Sequence, residues 1–290
     1  ATAMRQEFTN HQYPLHFIDF ETCTSAIPYF KGMSPYEMIA FQFSHHVLHA
    51  DGRVVHQTQF IDTAPGSFPN FEFVRALKKA LEQDSGTIFR FAAHENTVLN
   101  HVANQLTHSI EPDRDELITF IRTITYQGEK KSRIYGPRCM VDLCELVKLY
   151  YYDPATQGSN SIKALLPAML NSSPYLQALY GQPNYGSPTF PSLNFQEHCW
   201  LTKVGEQVIE PYKQLPKLFA DASEHDIDLL SEKDELNNGG LALVAYGKLQ
   251  LTEMSDYERH ELERALLKYC ELDTLAMVMI YQGWLTMLNN

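Results

Sequence analysis

Two acids set inside a strand of large apolar residues constrain this chain more than any other feature. In His16-Phe-Ile-Asp-Phe-Glu21, β-forming residues dominate, and Asp19 and Glu21 stand two apart, so both carboxylates project from one face of a strand. Phe17, Ile18 and Phe20 demand burial, and a buried carboxylate pair is costly unless a cation compensates it. No lysine or arginine stands near the pair in the sequence. Other acid-x-acid pairs (Asp113/Asp115, Asp226/Asp228, Glu261/Glu263) lie in polar or helical surroundings and read as solvated.

The elements around this strand predict an α/β fold. Met38 to Leu48 and Val54 to Ile61 read as strands joined by a turn at Asp51-Gly52, a hairpin pattern. Phe73, Val74, Leu77 and Leu81 recur at helical spacing over Phe71–Gln83, Thr87–Ala92 reads as a strand, and His94–Leu106 as a helix. The order β-β-β-α-β-α is that of a mixed sheet with helices packed on it. Further helices are expected near Asp115–Thr123, through Tyr150 after a short strand at Cys139–Leu143, and over Ser161–Leu170 behind a Ser/Asn cap. Prolines, glycines, serines and asparagines make 171–194 irregular, Asn237-Asn-Gly-Gly240 punctuates the chain, and Ser255–Leu288 reads as two helices.

Charge narrows the partners. With 23 Lys+Arg against 35 Asp+Glu the net charge is −12, which excludes a protein that grips duplex nucleic acid over a wide basic surface. Contact with a polyanion would need a local basic patch or a bound cation. Five scattered cysteines without a C-x-x-C pair argue against structural zinc and point to a reducing, cytoplasmic setting. No apolar run reaches the roughly 18–20 residues of a membrane span. The opening Ala1-Thr-Ala-Met lacks the pattern of a secretory signal and leaves room for a fused or associated domain upstream.

A second acid lies at the far end of the chain. In Tyr269-Cys-Glu-Leu-Asp273 the phenol and the carboxylate are four apart, so they share a helix face. A strand carrying Asp-x-Glu, a middle acid opening a helix and a last helix with Tyr-x-x-x-Asp together resemble the three motifs of the DEDD exonuclease superfamily, in its tyrosine-bearing (DnaQ-like) subclass. More narrowly, Phe17-Ile-Asp-Phe-Glu-Thr22, Ile27-Pro-x-x-Lys-Gly32, Phe41-Gln-Phe-Ser44, Gly158-Ser-x-Ser-Ile-Lys163 and Tyr269-Cys-x-Leu-Asp-Thr274 resemble an uncharacterised bacterial family, a domain of unknown function often described as nuclease-like.

The resemblance implies a ribonuclease H-like mixed sheet flanked by helices, with residues 1–290 as one domain and 171–235 as an inserted irregular or helical lobe. It implies two divalent cations, Mg²⁺ or Mn²⁺, with Asp19, Glu21, Glu95 and Asp273 as ligands and Tyr269 orienting the attacking water, so that Tyr269, Asp19 and Glu21 are the catalytic set. Lys163, Ser159, His94 and Thr22 are candidates for contacting substrate. The chain departs from the superfamily in its middle motif, where Phe91 stands in place of Asn and Glu95 in place of Asp. The expected activity is 3′–5′ exonucleolytic hydrolysis of single-stranded or frayed nucleic-acid ends. Its rivals are a non-catalytic nuclease-like module that binds nucleic acid or protein, and a structure-selective endonuclease. Lys130, Lys131, Arg133 and Arg138 form the densest basic run, which reads as a solvated loop slightly ahead of a phosphate contact.

Overall fold

A computed structural model describes residues 2–205, 207–216 and 239–289. After a short helix α1 (Thr2–Phe8), three strands form an antiparallel meander: β1 (Leu15–Cys23), β2 (Ile39–Leu48) and β3 (Val54–Ile61). Gly52 takes φ +87° at the β2–β3 turn, a conformation open to glycine without strain. The chain continues through α2 (Asn70–Leu81), β4 (Ile88–Arg90), α3 (His94–Thr107) and α4 (Arg114–Ile124) to a small hairpin, β5 (Tyr126–Gln127) and β6 (Ile134–Tyr135). Then follow β7 (Val141–Asp142), α5 (Leu143–Tyr150), α6 (Ile162–Ser172) and α7 (Pro174–Tyr180). The last described elements include the helices α8 (Gly239–Leu251) and α9 (Asp256–Asn289).

The main sheet has the order β3-β2-β1-β4-β7, with β4 parallel to both β1 and β7 and β2 antiparallel to β1 and β3. The protein is therefore α/β, with a mixed five-stranded sheet flanked by helices. The period-two alternation of β1 sorts its residues between two cores. Ile18 and Phe20 pack with Phe73, Leu77, Val98 and Leu99 of α2 and α3. Leu15 and Phe17 pack with Leu272, Leu275, Met279 and Trp284 of α9. Asp19 and Glu21 continue the second of these faces, toward α9.

Three expectations change. The C-terminal segment is one uninterrupted helix of 34 residues rather than two. Its Gly283 does not break it, because that position faces Met169 and Leu176, where an added Cβ would lie 2.5 Å from Met169 Sδ. Gly239 and Gly240 begin α8 instead of marking a loop, while Asn237 and Asn238 lie outside the described residues. The stretch 171–194 contains α7 and sends Tyr180, Tyr185 and Phe190 into the core beneath α9, joined by Phe195 and Trp200. Beyond α7, aromatic burial anchors this Pro/Gly-rich segment. Of the expected insertion, 171–205 and 207–216 thus send side chains from Leu176 to Val208 into the main core, and 206 and 217–235 (with Asp226 and Asp228) lie outside the described residues. None of the described helices is long and apolar enough to cross a membrane.

Candidate metal centre

The acids converge at the C-terminal ends of the parallel strands, the usual edge for sites in open α/β sheets. On β1 the antiparallel register to β2 shifts between Glu21 and Thr22, a bulge beside the carboxylates. Oxygens of Asp19 and Glu21 and the Sγ of Cys270 lie within 4.8 Å of one another. Asp19 is half-buried and Glu21 is buried. Glu95 arrives from the neighbouring strand β4 through a tight turn. Ala92 takes φ +68°, a left-handed conformation that is strained for a residue with a Cβ, and its amide donates to Asp142 Oδ1 at 3.0 Å. The turn delivers Glu95 into the first turn of α3, where the helix dipole favours an acid. Asp142 also accepts from Arg90 at 2.8 Å and caps α5 through the amides of Cys144 and Glu145.

Asp273 comes from α9, one turn after Tyr269. Tyr212 donates to its Oδ1 at 2.5 Å, whereas its Oδ2 is buried and accepts no hydrogen bond from the described residues. Glu95 Oε2 is orphaned in the same way. Leaving a buried acceptor unmet costs about 1–3 kcal/mol, more for a charged group.

Electrostatics agree with the geometry. Burial, and then the charges of Asp273, Glu95 and Glu21, hold the Asp19 carboxyl well above its ordinary range. Burial and Asp273 do the same for Glu21. Burial pushes Glu95 up to about 8 and Asp273 up to about 6. Positive charge is nearer than the sequence suggested: Lys163 pulls Glu21 and Asp273 down, and Arg90 pulls Glu95 down, but the upward influences win. Asp273 raises Asp19, Glu21 and Glu95, and Glu95 raises Asp19 and Glu21, so the described cations leave these acids above their ordinary range.

These donors fit a hard divalent cation, which takes carboxylate oxygen. Cys270 is a poor ligand for such an ion. Its Sγ points to the main-chain oxygen of Asp19 at 3.6 Å and to Oδ2 at 3.7 Å, and burial raises the thiol well above its usual range, so it serves as a weak donor holding Asp19. Burial and the surrounding acids likewise keep the Tyr269 phenol protonated.

Of the substrate candidates, Lys163 reaches the cluster, its ammonium 5.4 Å from the Tyr212 ring centre and 5.6 Å from that of Tyr269. Thr22 and His94 meet each other at the rim, Oγ1 to Nε2 at 3.1 Å. Ser159 sits in the exposed turn before α6 with its hydroxyl on Ser161 Oγ, and no described contact ties it to the carboxylates. Arg138 leaves the basic run: its guanidinium donates to the carbonyls of Leu81 and Gly86 and ties loops together. Tyr212, Arg90, Asp142 and Cys270 were missed by sequence reasoning. Cys270 stands three before Asp273 and Asp142 precedes a helix as a cap, signals that could have drawn notice; Tyr212 offers none.

A mixed sheet with a carboxylate cluster at its C-terminal edge defines the class: an α/β protein with a candidate divalent-cation site. Residues 16–161, about half of the 290-residue chain, match the family described as a domain of unknown function (DUF2779), and the protein belongs to it. No curated protein and no solved structure matches the chain.

Proposed function

We propose that the protein is a metal-dependent nuclease, a 3′–5′ exonuclease acting on single-stranded or frayed nucleic-acid ends, built on a ribonuclease H-like fold. The observation that carries this reading is the convergence of Asp19, Glu21, Glu95 and Asp273 from three elements, with two buried oxygens left without donors. The 3-2-1-4-7 strand order, with β2 alone running opposite to the rest, supports the fold assignment. Two Mg²⁺ or Mn²⁺ ions held by these carboxylates would neutralise the scissile phosphate, activate water and steady the leaving oxygen.

The chain's own groups account for the remaining requirements. Asp19, two residues from Glu21, is raised by the charges of Asp273, Glu95 and Glu21 together, so a cation at Asp19 would relieve repulsion from all three. Tyr269 keeps its proton and offers a phenolic donor to orient a water. Tyr212 holds Asp273 through Oδ1, while Oδ2 is buried and has no donor among the described residues, available to a ligand. Lys163 supplies positive charge beside Glu21 and Asp273, where a phosphate oxygen would develop charge. The net charge of −12 then limits the enzyme to a short stretch of strand engaged at the cleft.

The test is degradation of 5′-labelled single-stranded DNA and RNA with Mn²⁺ or Mg²⁺, beside Asp19→Asn. A ladder of shortened products that disappears in the variant is expected. No degradation of either substrate with either metal overturns the enzyme, and internal cuts in a circular substrate replace it with an endonuclease.

A further inference from the structure

The loop 127–133 is solvent-exposed from Gly128 to Ser132, as the sequence reading expects, but it also has a defined place in the fold. It is the tip of the β5–β6 hairpin, which with the outer face of α3 encloses a polar groove of about 590 Å³ that includes Asn96, Asn100, Tyr126, Lys130 and Arg133. The hairpin is clamped to α3. Asn96 Oδ1 accepts from the Tyr126 amide at 2.9 Å, and the side-chain amides of Asn96 and Asn100 donate to the Tyr126 carbonyl at 3.2 and 3.1 Å. The clamp makes the groove a fixed feature.

Its chemistry is unusual for this protein. In a chain of net charge −12, the tip concentrates Lys130, Lys131 and Arg133 against one acid, Glu129. The Arg133 guanidinium lies 4.1 Å from the Tyr126 ring centre, and its Nε is buried with no hydrogen-bond acceptor among the described residues. Tyr135 stacks obliquely on Tyr126 with centres 5.6 Å apart, yet it is 60% exposed. Cations interleaved with aromatic faces, over a floor of side-chain amides, match unpaired nucleotides: phosphates meet the cations and bases meet the rings.

The groove also adjoins the carboxylates. Asn96 follows Glu95 directly, and Arg90, which pulls on Glu95, lies 5.9 Å from the centre of the same Tyr126 ring. We infer that the groove between α3 and the β5–β6 hairpin is a binding tract for single-stranded nucleic acid, leading a strand to or from the carboxylate cluster. The inference deepens the nuclease reading and rests on it only for the direction of the strand.

Binding is measured by fluorescence anisotropy in chelator, where cleavage cannot intervene, with labelled oligothymidylate and oligouridylate of about 20 nucleotides, longer than one site of this kind needs. Replacing Lys130, Lys131 and Arg133 together by glutamine should lower the slope of log affinity against log salt by about 2. Tyr135→Ala should weaken binding about 5- to 150-fold if one base stacks there. Both variants should keep the Mn²⁺-induced rise in melting temperature, which shows that they are folded and that the cluster is intact. Equal affinity and slope for wild type and the triple variant overturns the tract. So does absence of binding to either polymer at low salt, or displacement of oligonucleotide by polyglutamate of equal charge, which would mark an acidic protein partner instead. Oligonucleotide bound through the hairpin but never cleaved leaves the tract standing and removes the nuclease. Cleavage with unaltered binding in the variants does the reverse.

Discussion

The C-terminal helix carries two buried acids two residues apart, and the protein treats them in opposite ways. Glu271 is 0% exposed and fully met by donors: Tyr185 and Ser192 each at 2.5 Å, Asn194 at 2.7 Å and His56 at 3.2 Å. Burial would raise it, but these hydrogen bonds hold it below the usual glutamate range. Asp273 is 3% exposed, accepts from Tyr212 while its Oδ2 has no donor among the described residues, and rises to about 6. Burial is nearly the same, so the number of donors decides the outcome. The protein can satisfy a buried carboxylate from its own side chains, yet among the described residues Glu95 Oε2 and Asp273 Oδ2 are left without a donor. A site whose shortfall is filled from outside explains that contrast better than poor packing does.

The largest effect should come from breaking the satisfied acid. Glu271→Ala strips four donors of their acceptor, including Tyr185, which also bonds His46 Nε2 at 2.9 Å and so links to Thr274 and Ser44. A loss of about 3–5 kcal/mol in denaturant unfolding is expected. A loss under about 1 kcal/mol would mean that water replaces the acid, and the comparison would fail. The unsatisfied acids should behave oppositely. In chelator, Asp273→Asn should leave stability unchanged or raise it, because it removes a like charge. With Mn²⁺ at about 100 times its Kd the wild type should gain about 2.7 kcal/mol, and Asp19→Asn and Asp273→Asn should gain little of it. Equal gains in all three, read as melting temperature, would place the cation elsewhere.

Local pattern made half of this contrast legible. Asp19 and Glu21 could be placed on one face because strand alternation is a local rule, and Tyr269 and Asp273 because i, i+4 is one too. Glu95 could be placed only through the resemblance to the superfamily's middle motif, where it stands in place of Asp. Glu271 could not be told from a surface acid, since its four donors come from β3 and from 185–194, far away in sequence. Tyr212 was hidden for the same reason. The hairpin at 126–135 escaped notice because each of its strands has only two residues, too short to show a period. The C-terminal segment reads as two helices in the sequence; that Gly283 packs against Met169 and Leu176 inside one helix only the fold reveals.

A pH series in chelator should separate the two kinds of acid by sign. Asp273 and Glu95 are raised, so the stability linked to them is fully present below the ordinary carboxylate range, about pH 4, and is lost as pH climbs through about 6 and about 8. Glu271 is lowered, so its contribution is present above about pH 4.5 and is lost as pH falls below that. The rise in melting temperature on adding Mn²⁺ should therefore be larger at pH 8 than at pH 6. A rise that shrinks over this interval would contradict the raised carboxyls.

The smallest effect should come from the frame that carries Lys163. Ser161 caps α6 by accepting from the Ala164 amide at 3.3 Å, and Ile162, Leu165 and Leu166 anchor that helix beside α9. Ser161→Ala removes one capping bond and should cost about 1 kcal/mol in denaturant unfolding. Because the apolar face of α6 stays anchored, the backbone at Lys163 should hold its place, and the Mn²⁺-induced stabilisation should match that of the wild type. If instead the variant changes the Mn²⁺ response while unfolding like the wild type, the first turn of α6 belongs to the charge balance of the acids. The under-compensation around Asp273 would then depend on how firmly one lysine is held as well as on the number of donors.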